Sequence, residues 1–167
     1  MVVDNLSAGK KENLNPKAKF YQIDIQDPEI PQIFQKENPE VVFHFAAQID
    51  VRKSVENPIE DAKINILGSL NLIQGFVQIS RRKKFIFASS GGAIYGDTDV
   101  IPTPETHLEN PESPYGITKL TVEKYLCFCK KAYGLNYLSL RLANAVSYTH
   151  LRAHETSLHL VCRLLLE

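Results

Sequence analysis

The chain has 167 residues, 44% of them hydrophobic, and its 19 Lys and Arg are matched by 19 Asp and Glu. This length suits one domain with a core, and the composition excludes a largely disordered chain. A formal net charge of zero argues against a nucleic-acid partner, which calls for a basic excess. No apolar run reaches the roughly 18 residues of a membrane span, so no membrane partner is expected. The opening MVVDNLSAGKK lacks the basic-then-apolar order of a signal peptide. Cys127, Cys129 and Cys162 follow no framework spacing and read as free thiols of a cytoplasmic protein.

In chain order, residues 1–3 are a stub of apolar strand ending at Asp4, followed by a turn-like Asn5-Leu6-Ser7-Ala8-Gly9 and a polar loop over 10–17. Residues 20–23 read as a second strand stopping at Asp24, and a short helix is expected over 28–36. Residues 41–45 form a third strand. Its near-continuous apolar run, broken only by His44, predicts a parallel strand covered on both faces, with His44 packed in the core. A long helix follows with Pro58 near its start, along which Ile59, Ala62, Ile66, Leu70, Ile73 and Val77 step by three or four. The basic cluster Arg81-Arg82-Lys83-Lys84 is expected to close it, where positive charge favours the helix dipole. Residues 85–89 are a fourth buried strand, 91–112 a loop, and 135–141 a fifth strand.

Between that loop and the fifth strand lies a helix with Ser113 as N-cap and Pro114 as first residue. Val122, Tyr125, Leu126, Cys129 and Ala132 continue it at helical spacing. Tyr115 and Lys119 stand four residues apart, so both face one ligand. A nearby ammonium is expected to lower the tyrosine pKa from about 10, making a base that can act on an alcohol.

Alternating strands and helices predict an α/β fold with a parallel sheet and helices on both faces. Ligands of such sheets sit at the carboxyl ends of the strands. Asp4, Asp24, Ala46, Ala47, Ser89, Ser90 and Asn144 all fall just past strand ends.

Several motifs then occur in one order: VDNLSAG, an Asp-Ile pair after the second strand, HFAAQ, Asn65 to Gly68 in the long helix, FASSGGAIYG, SPYGITK and RLAN. Over residues 1–144 this order resembles the extended short-chain dehydrogenase/reductase family, and within it the UDP-glucose 4-epimerases and related NAD-dependent sugar-nucleotide epimerases. The resemblance implies a doubly wound, Rossmann-like parallel sheet with NAD as cofactor and a UDP-sugar as substrate. It implies that Asp4 binds the adenosine ribose, with Asn5 and Ser7 beside it. Asp24 and Ile25 would lie by the adenine, and Phe45, Ala46 and Ala47 would border the cofactor. Asn65 would position cofactor and lysine. Ser90, Tyr115 and Lys119 match the family's catalytic triad. Tyr115 would take the proton of the sugar 4-hydroxyl while hydride leaves to NAD. Lys119 would hold the nicotinamide ribose and depress the tyrosine pKa, and Ser90 would hydrogen-bond the reacting oxygen. Ser90, Tyr115 and Asn144 would touch the substrate. No metal is expected, and the whole protein is expected to be a homodimer. Ser90 is followed by Gly91-Gly92-Ala93, without the acidic residues that related dehydratases and decarboxylases place there, which favours simple epimerisation. A dehydratase or reductase of the same family, or a non-enzymatic binding domain, are the alternatives.

Two features depart from the family pattern. The Gly-rich pyrophosphate turn is absent, so the fold is expected to lack its first strand and the C-terminal substrate domain, and these 167 residues are expected to be inactive alone. Residues 145–167 resemble translated sequencing-adapter read-through and are expected to be a foreign tail rather than part of the 1–144 domain. His150, His154 and His159 in that stretch miss the spacing of the H-E-x-x-H zinc motif by one residue.

Overall fold

The computed structural model describes residues 1–79 and 84–143. Asn144, Arg81 to Lys83 and the histidines and cysteine beyond 144 lie outside them. Among the described residues five parallel strands form two sheets. β1 (Val2–Asp4) pairs with β2 (Phe20–Gln22), and β4 (Lys84–Ser90) lies between β3 (Val41–His44) and β5 (Asn136–Leu142). The helices are α1 (Ile30–Glu37), α2 (Val51–Glu56), α3 (Pro58–Ala62), α4 (Ser69–Ile79), α5 (Gly91–Tyr95) and α6 (Pro114–Tyr133). This is the parallel α/β architecture expected from the sequence.

Local chemistry sets the helix ends. Asp50 caps α2 by accepting from the N–H groups of Arg52 and Lys53, and Asn57 caps α3 through Glu60 with Pro58 behind it. Ser113 caps α6 through the N–H of Gly116, and Gly134 ends it in the left-handed conformation (φ 69°). One apolar core joins both sheets. Ile25, Ile30, Ile33 and Phe34 meet Leu72, Ile73 and Phe76 of α4, Phe85 and Phe87 of β4, and Val122 and Leu126 of α6. The rings of Phe34, Phe76 and Phe85 form a continuous stack of tilted pairs, each 5.8 Å between centroids. Burial of each such ring contributes on the order of 2–3 kcal/mol.

Three expectations are corrected. First, β3 is not covered on both faces. His44 is buried, but Val41, Phe43 and the following Phe45 are exposed, and the rings of Phe43 and Phe45 stack on each other in the open. Parallel-strand composition reports how a strand is built, while cover depends on what lies above it. Among the described residues nothing pairs with the second edge of β3.

Second, the long helix does run unbroken from Pro58 to Ile79, but it is not one regular α-helix and does not bury the expected stripe throughout. α2 stops at Asn57, where Pro58 removes a donor. Lys63–Gly68 is a π-helical turn joining α3 to α4, and such insertions rotate the faces of a helix relative to one another. The side chains that go inside in its first half are Asp61, Asn65 and Ser69, whereas Ile59 is 69% exposed. The apolar stripe read from the sequence is therefore not the buried one there. Third, Lys84 starts β4 rather than closing a helix, and the loop after β4 opens with α5.

Candidate active site

The carboxyl ends of β1 and β2 bring Asp4, Asn5 and Asp24 together. Asn5 Nδ2 donates to Asp24 Oδ2 at 2.7 Å, and Asn5 Oδ1 accepts from the N–H of Ser7. Asp4 Oδ1 accepts from the N–H of Leu6 at 2.6 Å, holding that residue in a left-handed turn (φ 60°). Burial works against the Asp24 carboxylate, but the N–H of Gln26 and the amides of Asn5 and Gln26 hold its pKa below the ordinary value. The sequence grouped Ile25 with these residues. Its side chain instead goes into the core against Gly68, where a methyl group would collide with it. Its carbonyl accepts from Asn71 of α4.

At the end of β3, Phe45 and Ala46 are exposed and Ala47 is half-buried. Gln48 follows and is clamped by Asn65. The Asn65 side-chain oxygen accepts from the Gln48 N–H at 2.8 Å, and its amide donates to the Gln48 carbonyl at 3.0 Å, to Asp61 and to Thr118. Asn65 is 2% exposed, so its side chain orders the segment after β3 and the first turn of α6 from within.

Helix α6 carries Tyr115 and Lys119. The N–H of Tyr115 donates to Ser54 Oγ, 3.2 Å away on α2. Lys119 is buried, its ammonium donating to the Ala88 carbonyl of β4 at 3.0 Å. The same ammonium lies 4.9 Å from the Phe87 ring centre and 5.7 Å from that of Tyr115. Gly116 fits between them because a Cβ there would collide with the carbonyl of Ala93 in α5. That contact draws α5, and Ser90 at its N-terminus, against the start of α6. Ser90 Oγ caps α5 by accepting from the N–H of Ala93 at 3.4 Å.

The electrostatics differ from the sequence reading. Burial pulls Lys119 down to about 8. The Tyr115 phenol is raised, first by burial and then by the charge of Asp61, rather than depressed by Lys119. The ammonium stands over the ring faces, so its attraction for a phenolate does not overcome lost solvation.

Behind the pair, His44 Nε2 lies 2.7 Å from Ser69 Oγ, and that hydroxyl donates to the Asn65 carbonyl at 2.6 Å. The single hydroxyl proton is thereby used, so His44 donates from Nε2. Burial, reinforced by Lys119, lowers His44 to about 3 and keeps it neutral. To the other side, Arg141 of β5 bonds both oxygens of Glu123, one of Glu109 and the Tyr95 hydroxyl. This network ties the long loop to α6 and β5.

Asp61, Ser54, Thr118 and Gln48 escaped the sequence reading. Asp61 carried a signal only in hindsight, as an acid four residues before Asn65 on one helix face. Among the described residues no cluster of His, Cys, Asp and Glu can hold a metal, and no helix is long and apolar enough to cross a membrane.

Residues 2–165 match the family described as GDP-mannose 4,6 dehydratase. The chain is similar to the UDP-glucose 4-epimerase of Mycolicibacterium smegmatis, 36% identical over 147 residues that make up 85% of this chain and 47% of that protein. Among solved structures it is similar to the UDP-glucose 4-epimerase of Thermotoga maritima with UDP-glucose (53% identity, TM-score 0.81, 84% of this chain and 46% of that one). It is also similar to the Thermus thermophilus UDP-glucose 4-epimerase in complex with NAD (40% identity, TM-score 0.80, 84% and 45%). The chain thus spans about half the length of the relatives it matches. With the site and the family match in agreement, the chain belongs to the GDP-mannose 4,6 dehydratase family, among the NAD-dependent epimerases and dehydratases that its motif order resembles.

Proposed function

We propose that the protein carrying these residues is an NAD-dependent sugar-nucleotide 4-epimerase acting on a UDP-sugar of the glucose/galactose type. The observation that carries this reading is the Tyr115–Lys119 pair at the end of β4, with the lysine ammonium 5.7 Å from the tyrosine ring centre. The names of the similar proteins, and the absence of an acid in Gly91-Gly92-Ala93, favour epimerisation over dehydration.

The donor set at the strand ends fits a dinucleotide. Asp4 at the end of β1 accepts from vicinal ribose hydroxyls, and an acid there disfavours a 2′-phosphate, selecting NAD. Asn5, Ser7 and Asp24 stand beside it, and the exposed Phe45, Ala46 and Ala47 allow close approach. NAD, when bound, supplies the hydride acceptor at the sugar carbon and returns the hydride. Tyr115 takes the proton of the sugar 4-hydroxyl and gives it back. Lys119 supplies the positive charge that favours the phenolate and binds the nicotinamide ribose, while burial and Asp61 oppose phenolate formation. Ser90, and Asn144 beyond the described residues, hold the substrate. Asn65 sets the position of the lysine turn. The reading goes with a cytoplasmic enzyme.

A homodimer is part of the proposal. Ile117, Tyr125 and Phe128 lie on one side of α6 and are 51%, 41% and 54% exposed, an apolar face that a second copy would cover. The 167 residues alone, which contain no Gly-rich pyrophosphate turn, are proposed not to turn over.

The test is product analysis on the protein at its full natural length with UDP-galactose and NAD. Conversion to UDP-glucose without net NADH supports the proposal. A 4-keto-6-deoxy product assigns a dehydratase, and stoichiometric NADH consumption in a parallel assay supplied with NADH assigns a reductase. Tyr115→Phe should lower turnover by about 100-fold or more. Turnover by the isolated 167 residues would overturn the inactivity proposal.

A further inference from the structure

We propose that Asp61 is a positioning residue of the Tyr115–Lys119 pair: its carboxylate holds the first turn of α6 through Thr118 and supplies the buried negative charge that keeps Lys119 in its ammonium form. The functional part of this inference rests on the reading of that pair as the group that acts on the substrate alcohol.

The geometry is specific. Asp61 is 1% exposed, the most deeply placed carboxylate of the core. Gln48 Nε2 donates to its Oδ1 at 2.8 Å, Asn65 Nδ2 to the same oxygen at 3.0 Å, and Thr118 Oγ1 to Oδ2 at 3.0 Å. Two amide N–H donors share Oδ1, the pattern that suits an ionised carboxylate, and the Thr118 hydroxyl, able to donate or accept, faces Oδ2. Thr118 Oγ1 also lies 2.9 Å from the Tyr115 carbonyl. One hydroxyl proton cannot serve both, and a charged acceptor makes the stronger bond. A charged Asp61 therefore commands the Thr118 hydroxyl, and with it the helical turn between Tyr115 and Lys119.

Its charge has no direct salt link to spend itself on. Among the described residues Asp61 forms no ion pair, and the Lys119 ammonium bonds the Ala88 carbonyl. The Asp61 charge acts on the pair through a dry interior, where it is poorly screened. It raises Lys119 against the pull of burial, and it raises Tyr115 as well.

Other charges around the pair are spoken for. Arg52, Lys53 and Glu56 of α2, Glu60 of α3 and Lys63 of the π-helical turn are exposed to solvent, as is Lys84 of β4. Glu123 of α6 is bound to Arg141 of β5, Tyr95 of α5 bonds that same arginine, and His44 of β3 is neutral. Asp61 is the carboxylate left to offset the lysine. Without it, burial would act unopposed and lower Lys119 further. A neutral lysine offers a phenolate nothing.

The test is a nuclear magnetic resonance titration of the 167-residue chain, with carbon-13 at lysine Cε, tyrosine Cζ and aspartate Cγ. The signals are identified by their loss in Lys119→Met, Tyr115→Phe and Asp61→Asn. In Asp61→Asn the Lys119 midpoint should fall by about one pH unit, a tenfold change in proton affinity. The Tyr115 midpoint should fall too, because the repelling charge is gone. In Thr118→Val, which removes the tether and keeps the charge, Lys119 should titrate nearly as in the unsubstituted chain.

Unchanged midpoints in Asp61→Asn overturn the proposal. So does a Thr118→Val shift as large as that of Asp61→Asn, which would assign the effect to structure rather than charge. Should Asp61→Asn not fold, the unsubstituted chain still decides. With the Asp61 Cγ signal then assigned by through-bond correlation to its own backbone, the ionised position at pH 7 supports the proposal, and the protonated position overturns it. These readouts need no turnover, so absence of epimerase activity in the full-length protein would sink the functional reading alone.

Discussion

The Lys119 ammonium donates to the main-chain carbonyl of Ala88 at 3.0 Å, lacing the second turn of α6 to β4 two residues before Ser90. The residue is 4% exposed, so the bond is made inside the protein, where an ammonium is costly to hold.

That cost predicts a pH dependence. Burial lowers Lys119 from its ordinary 10.5 to about 8. Below pH 8 both folded and unfolded chains carry the proton, and the full burial cost applies. Between 8 and 10.5 the unfolded chain binds the proton and the folded chain does not, so this residue's contribution to stability rises with pH. Lys119→Met should therefore show its greatest advantage over the unsubstituted chain below pH 8 and lose that advantage toward pH 10.5. Urea midpoints across that range check it, and a constant difference would contradict it.

His44 predicts a change on the acid side. It falls from its ordinary 6.5 to about 3 because it is buried, with Lys119 adding repulsion. Above pH 6.5 neither state is protonated. As pH falls from 6.5 toward 3 the unfolded chain gains a proton that the folded one refuses, so stability is lost, by at most about 1.4 kcal/mol per pH unit from this one group. His44→Leu should lose its hydrogen bond to Ser69 and be less stable at pH 7, yet have a shallower decline in acid. Paired denaturation curves at neutral and mildly acid pH measure the two slopes.

Gly116 is predicted to resist any side chain. A Cβ there meets the backbone carbonyl of Ala93, which cannot swing aside as a flexible side chain could. Gly116→Ala should cost about 1–3 kcal/mol as an overpacking change, read as a drop in Tm. It should also shift the amide resonances of Ser90 and Tyr115, since it pushes α5 and α6 apart. Gly134, with open space around its Cβ but φ 69°, should respond to alanine without such shifts.

Arg141 is predicted to be the main electrostatic tie of the loop over residues 96–112. Glu123, followed by Glu109 and Tyr95, raises its pKa, so it stays charged throughout. Arg141→Met strands Glu123, which is 9% exposed, and should cost about 3 kcal/mol. Glu109→Gln should cost less, because that carboxylate keeps contact with solvent and with the exposed Lys124. Faster proteolysis within 96–112 in Arg141→Met is the second readout.

How much of this was legible in the sequence varies by region. Around α6 nearly everything was, because caps, proline and spacing act within a few residues of one another. Ser113, Pro114 and the Tyr115–Lys119 spacing all act locally. Across 59–69 the reading chose the wrong stripe. Ile59 and Ile66 looked like a buried face, but the inward residues there are Asp61, Asn65 and Ser69, while Ile73 and Val77 of the same stripe do meet the core. Polar residues inside a helix pair leave no hydrophobic signal, and the π-helical turn at Lys63–Gly68 breaks the period on which such a signal depends.

By itself, the sequence determined the alternation of strands and helices, the start of α6 and the presence of a tyrosine and a lysine on one helical face. These follow from steric and hydrogen-bonding preferences that act over a few residues. Only the tertiary structure decided what surrounds that pair. It set Lys119 on the Ala88 carbonyl, turned Ile25 into the core, left Phe43 and Phe45 in the open, and placed Asp61 beneath Thr118 from 57 residues away in the chain. Charge states in the interior depend on such long-range neighbours and on excluded water. This is why the sequence could place Tyr115 beside Lys119 and yet had the direction of its pKa reversed.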